Sequence, residues 1–150
     1  FYNYAGGNCN VNLHYKNKHG EHRWKKHSYD DCVFDMMNIF LRARSFDSAN
    51  WKKGYTVKFP IADGKNRTPA QIKFDGKVTI KADNGVKYRC LRLAYMEYEN
   101  RKYKRIVDFY VTDDENHIPI RLDMFLKFGA AKAFLVGMKG VRNPVSSIVK

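Results

Sequence analysis

Alternation of apolar and polar residues, sustained over most of the chain after Trp51, is the pattern that most limits what this sequence can fold into. Tyr55, Val57 and Phe59 fall in one phase, with Thr56 and Lys58 in the other. Ile72 and Phe74 alternate with Gln71 and Lys73, and Val78 and Ile80 with Lys77, Thr79 and Lys81. A period of two puts the apolar side chains of a strand on one face, so each stretch needs neighbouring strands and a core to cover it. The punctuation is as regular as the pattern. Asp75-Gly76 reads as a turn, and Asp83-Asn84-Gly85 contains the Asn-Gly step that is the strongest short hairpin signal. Residues 86–99 read as a long strand whose phase shifts near Cys90, from Val86, Tyr88 and Cys90 to Leu91, Leu93 and Tyr95, which predicts a bulge. Residues 104–112, 117–127 and 131–139 continue the series, separated by Asp113-Asp114-Glu115-Asn116 and Phe128-Gly129. Weaker alternation at 10–16 and 21–27 predicts an opening hairpin across Asn17-Lys18-His19-Gly20.

One segment breaks the pattern. Between Ser28 and Phe46, Val33, Phe34, Met37, Phe40 and Leu41 recur at helical spacing. Ser28 and Asp31 resemble a capping box, with Asp30 and Asp31 opening the first turn and Arg42 and Arg44 closing the last. The spacing predicts one amphipathic helix at about residues 30–44. Short connections elsewhere require antiparallel neighbours, because parallel pairing needs long crossovers. The expected fold is therefore mainly β: a single domain over 1–150, with roughly eight or nine strands in an antiparallel meander. Accumulated twist should curl it into an open or incomplete barrel, with the helix against it.

Charge narrows the partners. Lys plus Arg total 28 against 15 Asp plus Glu, a formal net charge of +13, yet aromatics make up 15% of the chain, too many for a disordered polycation. The cations Lys58, Lys73, Lys77, Lys81, Lys87, Arg89 and Lys132 spread over the polar phase of every strand, and Arg101-Lys102-Tyr103-Lys104-Arg105 reads as a hairpin tip. A nucleic-acid binder would gather its charge on one surface among exposed aromatics, so no nucleic-acid partner is expected. Anionic lipid or glycolipid headgroups of a cell envelope suit the same electrostatics better. No apolar run approaches the ~20 residues of a membrane-spanning helix, so no transmembrane segment is expected. The chain opens Phe1-Tyr2-Asn3-Tyr4 rather than with methionine, which predicts a processed product or a fragment.

Cys9, Cys32 and Cys90 form no Cys-x-x-Cys pair and read as buried thiols, with a Cys9–Cys32 bridge as the alternative. His14, His19, His22 and His27 cluster in the opening hairpin, where His14 and His27 are placed to pair across it. No carboxylate stands at helical ligand spacing to them, so a solvated polar hairpin is expected and no metal site is assigned. There is no Gly-x-Ser-x-Gly elbow and no phosphate-loop spacing at Gly137-Met138-Lys139-Gly140, so no catalytic residue and no cofactor is assigned. Asp113-Asp114-Glu115 lacks the alternating ligand positions of a calcium loop and reads as a turn held by local hydrogen bonds.

Three stretches together resemble a known family. They are the helix Phe34-Asp35-Met36-Met37-Asn38-Ile39-Phe40-Leu41-Arg42-Ala43-Arg44-Ser45 followed by Phe46-Asp47, the hairpin running from Val111 to Ile120, and the closing Gly140-Val141-Arg142-Asn143-Pro144. The resemblance is to exported envelope proteins of domain-of-unknown-function family 3108, and it runs from about the start of the helix to the C-terminus. It implies an exported, periplasmic or envelope-associated β-rich protein, in some members lipid-anchored, with no established activity to carry over. It also implies more strands before the helix than this chain supplies, so the chain reads as the C-terminal part of a longer domain. An unclosed sheet edge would then favour a homodimer. Arg44 is the matched residue with ligand potential, since a guanidinium at a helix C-terminus can cap carbonyls or grip a carboxylate or phosphate. The expected function is non-enzymatic binding of an apolar or amphiphilic ligand in the concave sheet. An assembly module acting through sheet edges is the alternative, and a hydrolase-type enzyme the third reading.

Overall fold

The computed structural model of the chain describes residues 2–62 and 66–150. Three strands open it: β1 (Tyr2–Ala5), β2 (Asn8–Lys16) and β3 (His22–Tyr29), an antiparallel sheet in that order. Helix α1 (Met36–Ala43) follows. The main sheet is a sequential antiparallel meander of β4 (Thr56–Ala62), β5 (Arg67–Lys81), β6 (Lys87–Glu99), β7 (Lys102–Thr112), β8 (Pro119–Leu126) and β9 (Gly129–Phe134). A short β10 (Ile148–Val149) pairs with the start of β6, beyond the point where β7 ends. The sheet ends at β4 and β9 and closes no barrel, as the predicted mainly β, open architecture requires.

The helix is shorter than expected and starts elsewhere. Ser28 is committed to the β2–β3 ladder opposite Asn10, so it caps nothing. The cap is Asp35, whose Oδ1 accepts from the Asn38 N–H at 2.7 Å. Just before it, Phe34 is extended and bridges Ile61 in parallel, its N–H donating to the Pro60 carbonyl and its own carbonyl accepting from Ala62. That backbone docking on the β4 edge takes Val33 and Phe34 out of the helix. The buried helical face is instead Ile39, Phe40 and Ala43, while Met37 and Leu41 remain 65% exposed.

Asp75-Gly76 does not turn the chain. β5 runs straight through it with a bulge between Phe74 and Gly76, and Gly76 takes φ +108°, a conformation that favours glycine. The bulge exchanges faces: Ile72 and Phe74 pack toward the helix, Val78 and Ile80 away from it. β6 has no bulge at Cys90, since its pairing with β5 is continuous from Arg92 to Lys87. Its change of phase is a change of core. Leu91, Leu93 and Tyr95 face the helix with Phe59, Phe109 and Val111, whereas Tyr88 and Cys90 join Tyr110, Ile118 and Ile120 on the opposite face. The chain beyond Phe134 covers that second face with Leu135, Met138, Val141 and Val145, so the predicted strand at 131–139 ends early. Two more register shifts, leaving Ile106 and Ile120 as extra residues, bend β7 and β8. Cys9, Val11, Val33 and Ala62 form a third small cluster, where the opening sheet meets the β4 edge.

Candidate binding site between the helix and the sheet

Helix α1 lies across the apolar face of the main sheet, Phe40 packing edge-on against Tyr95 and Phe109 at centroid distances of 6.0 and 3.9 Å. Beside this contact the fit is incomplete. A recess of about 220 Å³ remains, lined by Met37, Leu41, Ile72, Leu93, Phe109 and Leu122 among others. Leu41 and Arg44, one helical turn apart, border the recess and also a wider groove of about 710 Å³ on its far side. Asn116, Ile118, Met138, Lys139 and Arg142 line that groove, with Glu115 as its carboxylate. An apolar slot thus opens beside a polar trough that carries three cations.

Arg44 sits where its resemblance-based assignment placed it, at the helix C-terminus. Its backbone N–H caps the Arg42 and Leu41 carbonyls, and its Nη2 donates to the Asn116 carbonyl at 3.2 Å. No carboxylate pairs with it among the described residues. A guanidinium carries five N–H donors, so the tether to Asn116 still leaves a planar fork toward the groove. Asp47, the nearest acid in sequence after Arg44, accepts from the Ala49 N–H.

The acidic turn 113–116 builds the other wall. Asp114 accepts from the Thr112 hydroxyl at 2.8 Å and from the N–H groups of Asn116 and Ser147. Burial raises its carboxyl, but the hydrogen bonds from Ser147, Thr112 and Asn116 outweigh it and hold the group below the usual carboxylate range. Asp113 behaves alike: burial opposes ionisation, but Lys77 at 2.9 Å and Arg89 at 2.7 Å win and lower it. Asn116 binds the returning chain through its side chain, donating to the Asn143 and Pro144 carbonyls and accepting from the Asn143 N–H. Local hydrogen bonding therefore explains the Asp-rich turn, as its sequence suggested.

His117, which sequence reasoning did not single out, has its Nδ1 2.8 Å from the Arg44 carbonyl and its Nε2 3.3 Å from the Ser48 hydroxyl. The arrangement resembles a serine activated by an oriented imidazole. Asp113, Asp114 and Glu115 line the same hollow, and their negative charge would oppose a developing oxyanion. The two contacts fasten the loop after α1 to the β7–β8 turn. Only the fifth histidine's position after an Asp-rich turn could have pointed to it, and that is not a chemical motif.

The other candidates do not converge on this site. His14, His22 and His27 lie on the opening sheet and His19 in its β2–β3 turn; His14 pairs with Trp24 rather than His27, stacks on its ring at 4.0 Å and contacts His22 at 2.7 Å. His27 sits opposite Val11. Among the described residues no three metal-binding side chains gather. Cys9 and Cys90 are buried, Cys32 is exposed, and no bridge joins Cys9 to Cys32. Burial, reinforced by the charges of Asp113 and Asp114, pushes the Cys90 thiol up to about 12, which keeps it protonated and inert.

A family model described as a protein of unknown function (DUF3108) matches residues 1–136. The chain belongs to that family. The match includes the opening strands, which the recognised stretches did not, and stops before Gly140–Pro144, so the expected span from helix to C-terminus is corrected at both ends. No curated protein and no solved structure matches the chain.

Proposed function

We propose that this DUF3108 protein is a non-enzymatic, exported envelope protein that holds an amphiphile, its apolar tail in the recess under α1 and its anionic head in the adjoining groove. The observation that carries the reading is the shared border: Leu41 and Arg44 line both spaces, so the apolar recess and the cationic groove adjoin. The recess falls below the roughly 300–1,000 Å³ of whole-ligand sites, which fits a tail segment rather than an entire ligand. Arg44, Arg142 and Lys139 supply charge for a phosphate or carboxylate head. The net charge of +13 fits residence near the anionic surfaces of a periplasm or envelope.

Native mass spectrometry of protein purified without detergent tests this directly. An acyl-bearing species should co-purify, and replacing the exposed rim residues Met37→Ser and Leu41→Ser together should weaken binding of a fluorescent fatty acid by about tenfold or more. Bare protein on every preparation, with no displaceable fatty-acid binding, would end the proposal.

Assembly through a sheet edge is the second reading, favoured by β9, whose outer side is unpaired among the described residues. A monomer at all concentrations in light scattering would remove it.

A further inference from the structure

We propose that the end of the main sheet carrying the β6–β7 and β8–β9 hairpin tips docks on a bilayer surface bearing anionic phosphate headgroups. The antiparallel order places these two reversals at one end of the sheet, while Arg44 and the 113–116 turn occupy the other. The proposal therefore stands apart from the amphiphile recess.

The tips carry side chains that a water-facing hairpin has no reason to display. On the β8–β9 hairpin Phe128 is fully exposed, Leu126 is 60% exposed and Phe125 42%. Lys127 sits between the two most exposed of them, an alternation of oily and cationic residues at one reversal. On the neighbouring tip Tyr98 and Tyr103 face each other across the hairpin, rings edge-on at 5.2 Å, just below the exposed Arg101 and Lys102. Glu99 at this tip is paired with Lys104, which leaves Arg101 and Lys102 as its excess charge. Scattered exposed hydrophobics are ordinary; apolar side chains gathered with unpaired cations at one end are not. Aromatic rings and leucines fit the headgroup–acyl boundary, and lysines and arginines fit the phosphates above it. Arg101, Lys102 and Lys127 have no carboxylate within ion-pair distance among the described residues, so their charge is available to an anionic surface. A hollow of about 550 Å³ lined by Lys58, Pro60, Arg67, Pro69 and Tyr103 lies at the same end, wide enough for a headgroup.

The backbone adds a second, independent observation. Asn100 and Arg101 turn the β6–β7 tip with φ +51° and +63°, a two-residue reversal in which the second position favours glycine. The chain places arginine there and accepts the strain, which puts a guanidinium at the outermost point of the hairpin.

The test is sedimentation of the full chain with phosphatidylcholine vesicles, with and without phosphatidylglycerol. Binding should require the anionic lipid and weaken as salt rises. The Arg101→Gly variant should bind about fivefold more weakly, since each cation near an anionic surface contributes a factor of that order. Its thermal midpoint should hold or rise, because glycine accepts the turn without strain, so loss of binding cannot be blamed on misfolding. The double variant Leu126→Ser with Phe128→Ser should bind more weakly still. Met37→Ser with Leu41→Ser, at the recess, should leave vesicle binding unchanged even where it abolishes fatty-acid binding. Equal binding to neutral and anionic vesicles, undiminished binding by both tip variants, or loss of vesicle binding on changing Met37 and Leu41 would each overturn the proposal. So would salt-sensitive binding to duplex DNA by a protein that ignores vesicles.

Discussion

Asp114 does more for this fold than its place in an acidic run suggests. One carboxylate holds Thr112, closes its own turn through Asn116, and receives the N–H of Ser147 from the returning chain. Asp114→Ala leaves those donors without their acceptor, and we expect a loss of roughly 2–3 kcal/mol in urea denaturation. The pH dependence follows from the sign of its shift. Asp113 and Asp114 are held below the unfolded carboxylate value, so their stabilisation is complete above about pH 4 and drains away as pH falls through the folded values. An acid titration of the thermal midpoint should show a steep limb there, flattened in Asp113→Asn with Asp114→Asn. The cysteines give a sharper chemical contrast. Iodoacetamide should modify Cys32 in the native protein and reach Cys9 and Cys90 only after unfolding, which peptide mass mapping will show.

At the scale of elements, the helix cap and the β5 bulge decide most of the local geometry. Asp35→Ala should cost about 1 kcal/mol and lower the thermal midpoint, while Ser28→Ala, at a position paired in a ladder, should leave α1 unaffected. Gly76→Val should cost more than the cap, since a β-branched residue is forced to φ +108°. Both features show why periodicity misplaced its boundaries. The apolar residues Val33 and Phe34 sit at helical spacing from Met37, yet backbone pairing with Ile61 wins over helix formation there. Asp-Gly at 75–76 has turn chemistry, but a glycine with positive φ serves a bulge equally well, and the long partner β6 keeps the strand going. Between the sheet faces, buried Asp108 holds Arg92 at 2.7 Å and Arg105 at 3.3 Å, with Asp75 pairing to the same Arg105. That ladder of alternating charge lets a basic chain bury part of the polar phase of its strands.

For the whole molecule, the decisive fact is that the main sheet is covered on both faces. Helix α1 covers one, and the chain from Leu135 to Val145 covers the other, over Tyr88, Cys90, Ile118 and Ile120. Deleting residues 136–150 removes Met138, Val141 and Val145 from that second core. We expect a loss of about 3 kcal/mol, with new binding of a hydrophobic dye, while far-ultraviolet dichroism keeps its β character. A deletion that unfolds with unchanged midpoint would show that the closing segment contributes nothing to that core.

The alternation in the sequence was enough to specify strands, their antiparallel order and the existence of one helix, because period-two patterning and short turns leave few other ways to bury apolar surface. The place of Arg44 at the end of the helix was legible at the same local level, since the cations and the helix terminus lie within one turn. What the sequence could not specify is which core each apolar stretch joins. The switch at Cys90 looks like a slip of register in one dimension and is a change of face in three. The recess, the groove and the exposed hairpin tips all depend on elements distant in sequence: Leu41 beside Leu93, Arg44 beside Asn116, and Arg101 and Phe128 at one end of the sheet. Sequence patterning acts over a few residues through backbone periodicity, whereas the packing of α1 and the closing segment against opposite faces is decided only when strands separated by tens of residues are brought together.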